Sequence, residues 1–113
     1  MVSGAAQITQ ADRARWQWQA AVELARILGA HPDLPAIAWT VGPAGCVLAG
    51  RVNGLAPPGR VREVFGAWRV ALALDADREQ PCGGGTVFLH AAARRRGVKV
   101  RIIATVFEAG EDR

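Results

Sequence analysis

The chain has 113 residues, a formal net charge of +4, and hydrophobic and charged shares of 50% and 21%. This length fits one domain that buries about two thirds of the surface its unfolded chain exposes, and the composition excludes disorder along most of the sequence. No apolar run approaches the roughly 18 residues of a membrane span, so we expect no membrane segment, and the positive charge favours an anionic partner.

The start of the chain and its cysteines bear on compartment. The first ten residues lack the basic start and apolar core of a signal peptide, and Cys46 and Cys82 do not form the framework of a secreted domain. We therefore expect a cytoplasmic protein. Residues 1–8 and 109–113 lack apolar periodicity, which predicts flexible tails around a single domain at residues 9–108.

A first helix is predicted between two end signals. Thr9 and Asp12 form a capping-box pattern, and Gly29 predicts an end near Leu28. Polar residues between the apolar positions, among them Glu23, are expected to face water. The apolar residues form one buried stripe at helical spacing, which comprises Trp16, Ala20, Leu24, Ile27 and Leu28.

A first hairpin is predicted to follow. Residues 37–41 alternate between core-type and other side chains, and residues 42–45 (GPAG) are typical of a turn. A four-residue loop would place Trp39 opposite Leu48 on an apolar face. The other face would carry Thr40, Val47, Ala49 and Arg51.

A second helix is predicted to begin near Pro58, after the linker at residues 55–59 (LAPPG). Residues 75–85 (DADREQPCGGG) have no apolar pattern and are predicted to form a mobile loop. The apolar stripe of the helix comprises Val61, Val64, Phe65, Trp68, Ala71 and Leu72.

Residues 86–107 are the most strongly patterned part of the chain and predict a second hairpin. Its two runs meet at Arg96-Gly97, and a two-residue turn there places Arg95 opposite Val98. One face is then apolar except at Arg95, and a one-residue slip would bury cations, so the register is well specified. The other face mixes cations with aromatic residues and carries Phe88, His90, Ala92, Arg94, Lys99, Arg101, Ile103, Thr105 and Phe107.

The predicted order is α-β-β-α-β-β, which has the form of a duplicated αββ unit. Each helix has one apolar stripe and each hairpin has one apolar face. The layer arrangement that buries all of them is an α+β fold, in which two helices cover one face of a four-stranded antiparallel sheet. The far side of the sheet is left open.

The open face is the candidate functional surface. Its apolar residues favour a protein interface, chiefly a homodimer, whereas its interleaved cations and aromatic rings are typical of nucleic-acid binders; a plain solvated surface is the third interpretation. The arginine run 94–96 is either solvated or reaches a phosphate backbone. The partner or dimer set is Val47, Arg51, Phe88, His90, Ile103 and Phe107; the nucleic-acid set is Arg51, Arg94, Arg95, Arg96, Lys99 and Arg101.

Catalytic, metal and phosphate sites are not predicted. His31, Cys46, Cys82 and His90 lack metal-ligand spacing, and residues 82–85 (CGGG) lead into a strand, unlike a phosphate loop. There is no Ser, His and acid constellation and no carboxylate pair. We therefore expect no cofactor and a non-enzymatic interaction module, with a nucleic-acid-binding regulator as the alternative.

Three segments carry a resemblance. The run WTVGPAGCVLAGRV, a helix that starts with Pro-Gly and contains FGAW, and a closing strand with ATV resemble short uncharacterised proteins of actinobacteria. The resemblance covers about residues 15–107. It implies a bacterial cytoplasmic setting and adds no site.

Overall fold

The computed structural model describes residues 9–42 and 46–108, and at residues 76–78 it describes the backbone alone. The predicted tails at residues 1–8 and 109–113 lie outside the described residues. The α+β class is confirmed. The elements are α1 (Gln10–Ala30), β1 (Ala38–Val41), β2 (Val47–Arg51), α2 (Pro58–Ala71), β3 (Asp75–Gly83), β4 (Thr86–Arg95) and β5 (Val98–Phe107).

The five strands form one sheet in the order β1-β2-β5-β4-β3. Strands β2 and β5 are parallel, whereas the other neighbouring pairs are antiparallel. The predicted sheet of four antiparallel strands was therefore wrong in strand number and in the direction of one pair. Both errors have one cause: the unpredicted strand β3 reverses the chain once more before β4 and β5, so β5 runs in the same direction as β2.

Strand β3 occupies residues 75–83, which we had predicted to be a loop. The strand lies at the edge of the sheet and pairs only with β4, and the described side chains of β3 are exposed. An edge strand exposed on both faces needs only backbone pairing, so it leaves no apolar pattern in the sequence. Gly84 and Gly85, with φ of 63° and 77°, form the two-residue turn into β4.

The hairpin of β4 and β5 has the predicted register along its whole length. Arg96 and Gly97 have φ of 51° and 81°, as a two-residue turn between twisted strands requires, and Arg95 lies opposite Val98. The buried side of β5 consists of Val98, Val100, Ile102, Ala104 and Val106, each at most 1% exposed.

The first hairpin has its predicted faces but not its predicted register. Trp39 lies opposite Gly50 rather than opposite Leu48, because the ladder closes at Gly42 and Val47 instead of at Val41 and Cys46. The backbone N–H of Gly42 donates to the carbonyl of Val47 at 2.9 Å, which closes the ladder. A shift of two residues keeps every side chain on the same side of the sheet, so Leu48 is still buried.

Helix α1 begins with the predicted capping box. The backbone N–H of Asp12 donates to Thr9 Oγ1 at 3.0 Å, and the backbone N–H of Thr9 donates to Asp12 Oδ2 at 3.2 Å. This second bond is the main reason that the pKa of the Asp12 carboxyl lies below its ordinary value.

The buried line of α1 differs from the predicted stripe, in which Trp16 and Leu24 are only half-buried. The helix continues to Ala30, Leu28 is 45% exposed, and Glu23, which was expected to face water, is 1% exposed. Ala20, Glu23 and Ile27 follow one another at steps of three and four and are the buried residues of the helix. The helix is therefore rotated so that a carboxylate lies within its core-facing line.

Helix α2 begins at Pro58 as predicted, and both helices lie on the apolar side of the sheet. Trp68 is 1% exposed; its indole N–H donates to the carbonyl of Pro35 at 2.8 Å, and its ring contacts Trp39 edge to face at a centroid distance of 5.5 Å. One core joins this helix to the sheet, and its α2 members include Val61, Val64, Phe65 and Trp68.

Replacing neighbouring isoleucines on β5 tests this layering. Ile102 is fully buried, so Ile102→Ala should leave a cavity and lower the free energy of unfolding by about 2 to 5 kcal/mol. Ile103 lies on the opposite side and is half-buried, so Ile103→Ala should cost only about 1 kcal/mol in a monomer. Urea unfolding at several protein concentrations measures both. Equal losses that do not change with concentration would mean that the chain covers both faces of its own sheet.

Candidate functional site

The candidate surface is the side of the sheet that faces away from the helices, which we call the open face. The alternation of side chains along β5 determines which residues lie on the open face. Odd-numbered positions from Lys99 to Phe107 face this side, while even-numbered positions face the core. Strands β2 and β4 add neighbours in register, so that Ala49 and Ala92 flank Arg101, and Arg51 and His90 flank Ile103.

One end of the open face is apolar. This apolar end consists of Leu55, Phe88, Ile103 and Phe107, which line a cleft of about 260 Å³ together with the aliphatic part of the loop after β2. Leu55 and Phe107 are 90% and 54% exposed, which is unusual for such large apolar side chains. A cluster of this kind on a sheet is typical of an interaction site.

The loop after β2 shapes this cleft by approaching β5 closely. A Cβ atom on Gly54 would lie 3.0 Å from the carbonyl oxygen of Thr105 and 3.6 Å from the ring of Phe107. Only glycine fits this approach without a shift of the backbone. The next residue, Leu55, donates its backbone N–H to Asn53 Oδ1 at 3.0 Å, which fixes the turn that exposes its side chain.

The other end of the open face is basic. This basic end consists of Arg94, Lys99 and Arg101; Arg94 lies directly opposite Lys99, and Lys99 is eight residues, or about 26 Å along the strand, from Phe107. None of these cations has an ion pair with a described carboxylate, and the same is true of Arg51. The Nε of Arg101 is buried and has no hydrogen-bond partner among the described residues.

Arg95 and Arg96 do not join the basic end. Arg95 Nε and Arg96 Nη1 lie 3.3 and 3.4 Å from Glu23 Oε2, and Arg95 Nη1 donates to the carbonyl of Leu72 at 3.1 Å. Arg26 contacts the other oxygen of Glu23 at 3.3 Å. Two of the three consecutive arginines therefore tie the hairpin tip to the helices, and only Arg94 faces the open side.

The remaining predicted residues fall at different places on the open face. Val47 is half-buried and lies opposite Lys99, so it belongs to the neighbourhood of the basic end. Arg51 is exposed and lines the cleft beside Ile103, at the border with the apolar end. His90 is half-buried and pairs with Ile103 across the ladder. Because the predicted hairpin register holds, the cations near the hairpin tip and the aromatic residues at its other end are separated along the strands.

Two residues that matter here were missed from the sequence. Leu55 sits in a proline-rich linker, and its only sequence signal was a large apolar residue outside any periodic run. Glu23 had a stronger signal, since it lies between Ala20 and Ile27 at helical spacing. A charge within an apolar stripe predicts a buried ion pair, and Arg95, the lone cation on the apolar hairpin face, was the available partner.

Metal-ligand clusters and membrane-spanning helices are both absent from the described residues. These residues contain no group of three or more His, Cys, Asp or Glu side chains that could hold a metal ion, and Cys46 and Cys82 are free thiols. Within the same residues, no helix is both long and apolar enough to cross a membrane.

No protein-family model matches the chain, and no curated protein or solved structure is significantly similar to it. The resemblance to actinobacterial proteins therefore stays a prediction.

The carboxylate at the hairpin tip gives a stability prediction. Glu23→Gln removes the negative charge from a buried position that contacts three arginines, which should lower the free energy of unfolding by about 1 to 3 kcal/mol. The control Glu63→Gln breaks an exposed pair with Arg60 and should cost at most about 0.5 kcal/mol. Chemical denaturation compares the two; equal small effects would show that the tip does not depend on Glu23.

Proposed function

We propose that this chain is a non-enzymatic interaction module whose open sheet face is covered by another protein surface, either a second copy of the chain or a different protein. The expected cytoplasmic location is part of this proposal. The observation that carries it is the apolar end, where Leu55 and Phe107 are largely exposed around a cleft of about 260 Å³. Large apolar anchors beside a pocket are typical of the energetic centre of a protein interface.

The shape of the cleft favours a protein over a free small molecule. Sites for small molecules usually enclose most of the ligand's surface, in volumes of about 300 to 1,000 Å³. This cleft is smaller and lies open on the sheet between Phe88, Phe107 and Leu55. It can hold one or two apolar side chains of a partner whose remaining surface lies on the sheet around it.

Charge restricts how a second copy can bind. In a two-fold interface the same patch meets itself, so an axis through the middle of the open face would bring Arg94, Lys99 and Arg101 towards their own copies. An axis through the apolar end avoids this, since the basic end then lies about 20 Å or more from the axis and projects outwards on each side. The proposed dimer therefore buries Phe88, Ile103 and Phe107 and leaves the basic ends free.

Phe107→Ser tests the homodimer. Removing an exposed aromatic ring from the apolar end should weaken dimerisation at least tenfold, or by about 1.4 kcal/mol, with little loss of folding stability. The matched control is Val70→Ser, because Val70 is 69% exposed but lies on α2. Sedimentation equilibrium at about 10 to 100 µM measures the dissociation constants.

A wild-type chain that stays monomeric at these concentrations would exclude the second copy as occupant. Capture of a different protein would then be compared for wild-type and Phe107→Ser baits, with nuclease treatment in parallel. Equal capture by both baits would contradict the open-face proposal.

A second candidate function, from another class, is binding of single-stranded nucleic acid along the same face. The basic end favours it, because Arg94, Lys99 and Arg101 lie side by side without a described carboxylate partner. Phe88 precedes His90 by two residues, so both lie on the same side of β4. Phe88 is half-buried and offers a ring for base stacking. Arg51 would supply a fourth phosphate contact.

The salt dependence of binding tests this second function. Four phosphate contacts, from Arg51 and the basic end, predict a slope of about −3 for log affinity against log salt concentration with a single strand. Fluorescence anisotropy with a labelled oligonucleotide of about 12 nucleotides measures it. Arg101→Glu should abolish binding, whereas Arg13→Glu makes the same charge change on an exposed position of α1 and should leave most of it. Equal losses from both variants would mean that only net charge matters.

A further inference from the structure

Strand β1 is an open edge of the sheet. The hydrogen bond from Gly42 to Val47 and the register that pairs Thr40 with Ala49 identify the positions whose backbone groups face β2. Bonded positions alternate along an antiparallel pair, so the N–H and C=O groups of Trp39 and Val41 point away from β2. No described residue forms a hydrogen bond with these four groups.

The two edges of the sheet are not equally protected. Edge strand β3 contains Pro81 and two irregularities in its pairing with β4, and its sequence has charged residues at positions 75 and 77–79. These are devices by which proteins prevent other strands from pairing with an edge. Strand β1, with the sequence AWTV, has no charge, no proline and no irregularity. Among the described residues, what limits pairing at this edge is the length of β1, which is four residues.

The side chains of β1 match a second copy of themselves. In an antiparallel pair centred on Thr40, Trp39 lies opposite the partner's Val41 and Val41 lies opposite the partner's Trp39, so all four free backbone groups of each copy are bonded. Aromatic residues opposite β-branched ones, and threonine opposite threonine, are favourable cross-strand pairs. A register centred on Trp39 would instead place two indoles opposite each other, although each already packs against its own Trp68.

We infer that two copies of this chain pair through their β1 edges, antiparallel and with Thr40 on the two-fold axis, to form one continuous ten-stranded sheet. The axis is perpendicular to the sheet, so the open faces of both copies lie on the same side. The contact uses neither Leu55 nor Phe107 and does not rest on the open-face proposal. Because each strand is short, four backbone hydrogen bonds and two Trp–Val contacts hold the pair, and we expect it at micromolar concentrations or above.

Opposite charges at Thr40 provide the test. Thr40 is exposed, and its Cα would lie about 4.5 Å from that of the partner's Thr40, so Thr40→Lys or Thr40→Glu places like charges opposite each other. Each variant alone should weaken dimerisation at least tenfold, and an equimolar mixture should restore it as a heterodimer. The matched control is Ala38→Lys, which is exposed on the same side of the same strand but lies opposite the partner's Gly42.

Sedimentation velocity at about 100 µM follows these assemblies, with circular dichroism to verify that each variant is folded. Amide exchange gives an independent readout, because the N–H groups of Trp39 and Val41 should exchange more slowly as the wild-type concentration rises. Phe107→Ser should leave the edge dimer intact, which separates this inference from the open-face proposal.

Several results would overturn the inference. These are a wild-type chain that stays monomeric, dimerisation that Thr40→Lys leaves unchanged, an equal effect of Ala38→Lys, or a mixture of the Lys and Glu variants that stays monomeric. A dimer that is lost in Phe107→Ser but kept in Thr40→Lys would place the contact on the open face and exclude the edge.

Discussion

The position of β5 at the centre of the sheet is the constraint on which the other elements depend. Its core-facing residues are fully or almost fully buried, and it bonds to β2 on one side and β4 on the other. A slip of one residue against either neighbour would bring Lys99 and Arg101 into the core and expose Ile102, at a cost larger than the stability of a typical domain. The register of β5 against β2 and β4 therefore determines where the helices, the hairpin tip and the open face lie.

Local features of the sequence were enough to predict the hairpin and both helices, because a turn, a cap or a periodic stripe is specified by residues close together in the chain. The parallel pairing of β2 and β5 was not predictable in this way, since it depends on how many strands intervene. Strand β3 was the missing one; its described side chains are exposed, and its sequence carries no apolar alternation. Glu23 is a second case in which local sequence was not enough. Its position within the apolar stripe of α1 could be recognised from the sequence, but its partners Arg95 and Arg96 come from the distant turn between β4 and β5.

The pairing of β2 with β5 also decides what the open face looks like. Parallel strands place Val47 beside Lys99 and Arg51 beside Ile103, whereas an antiparallel pair would have reversed this order and put Arg51 near the basic end. The loop after β2 then reaches the far end of β5, where Gly54 allows Leu55 to join Phe107. The composition of this face and the separation of Phe88 and Phe107 from Lys99 along the hairpin were therefore predictable from the sequence, but the positions of Arg51 and Leu55 beside the apolar residues were not.

The ion pairs explain why positive charge collects on the open face. Each ion pair between described residues includes a side chain from α1 or α2, as in Glu23 with Arg95, or Arg62 with Glu79 and Glu108. The hydrogen bonds to Glu79 and then Glu108 raise the pKa of Arg62, in keeping with a cation that is well paired. These carboxylates are thus paired at the helices, and none of them neutralises the positive potential of the basic end. A surface that covers that end must bring negative charge with it, which a second copy of the same face does not have.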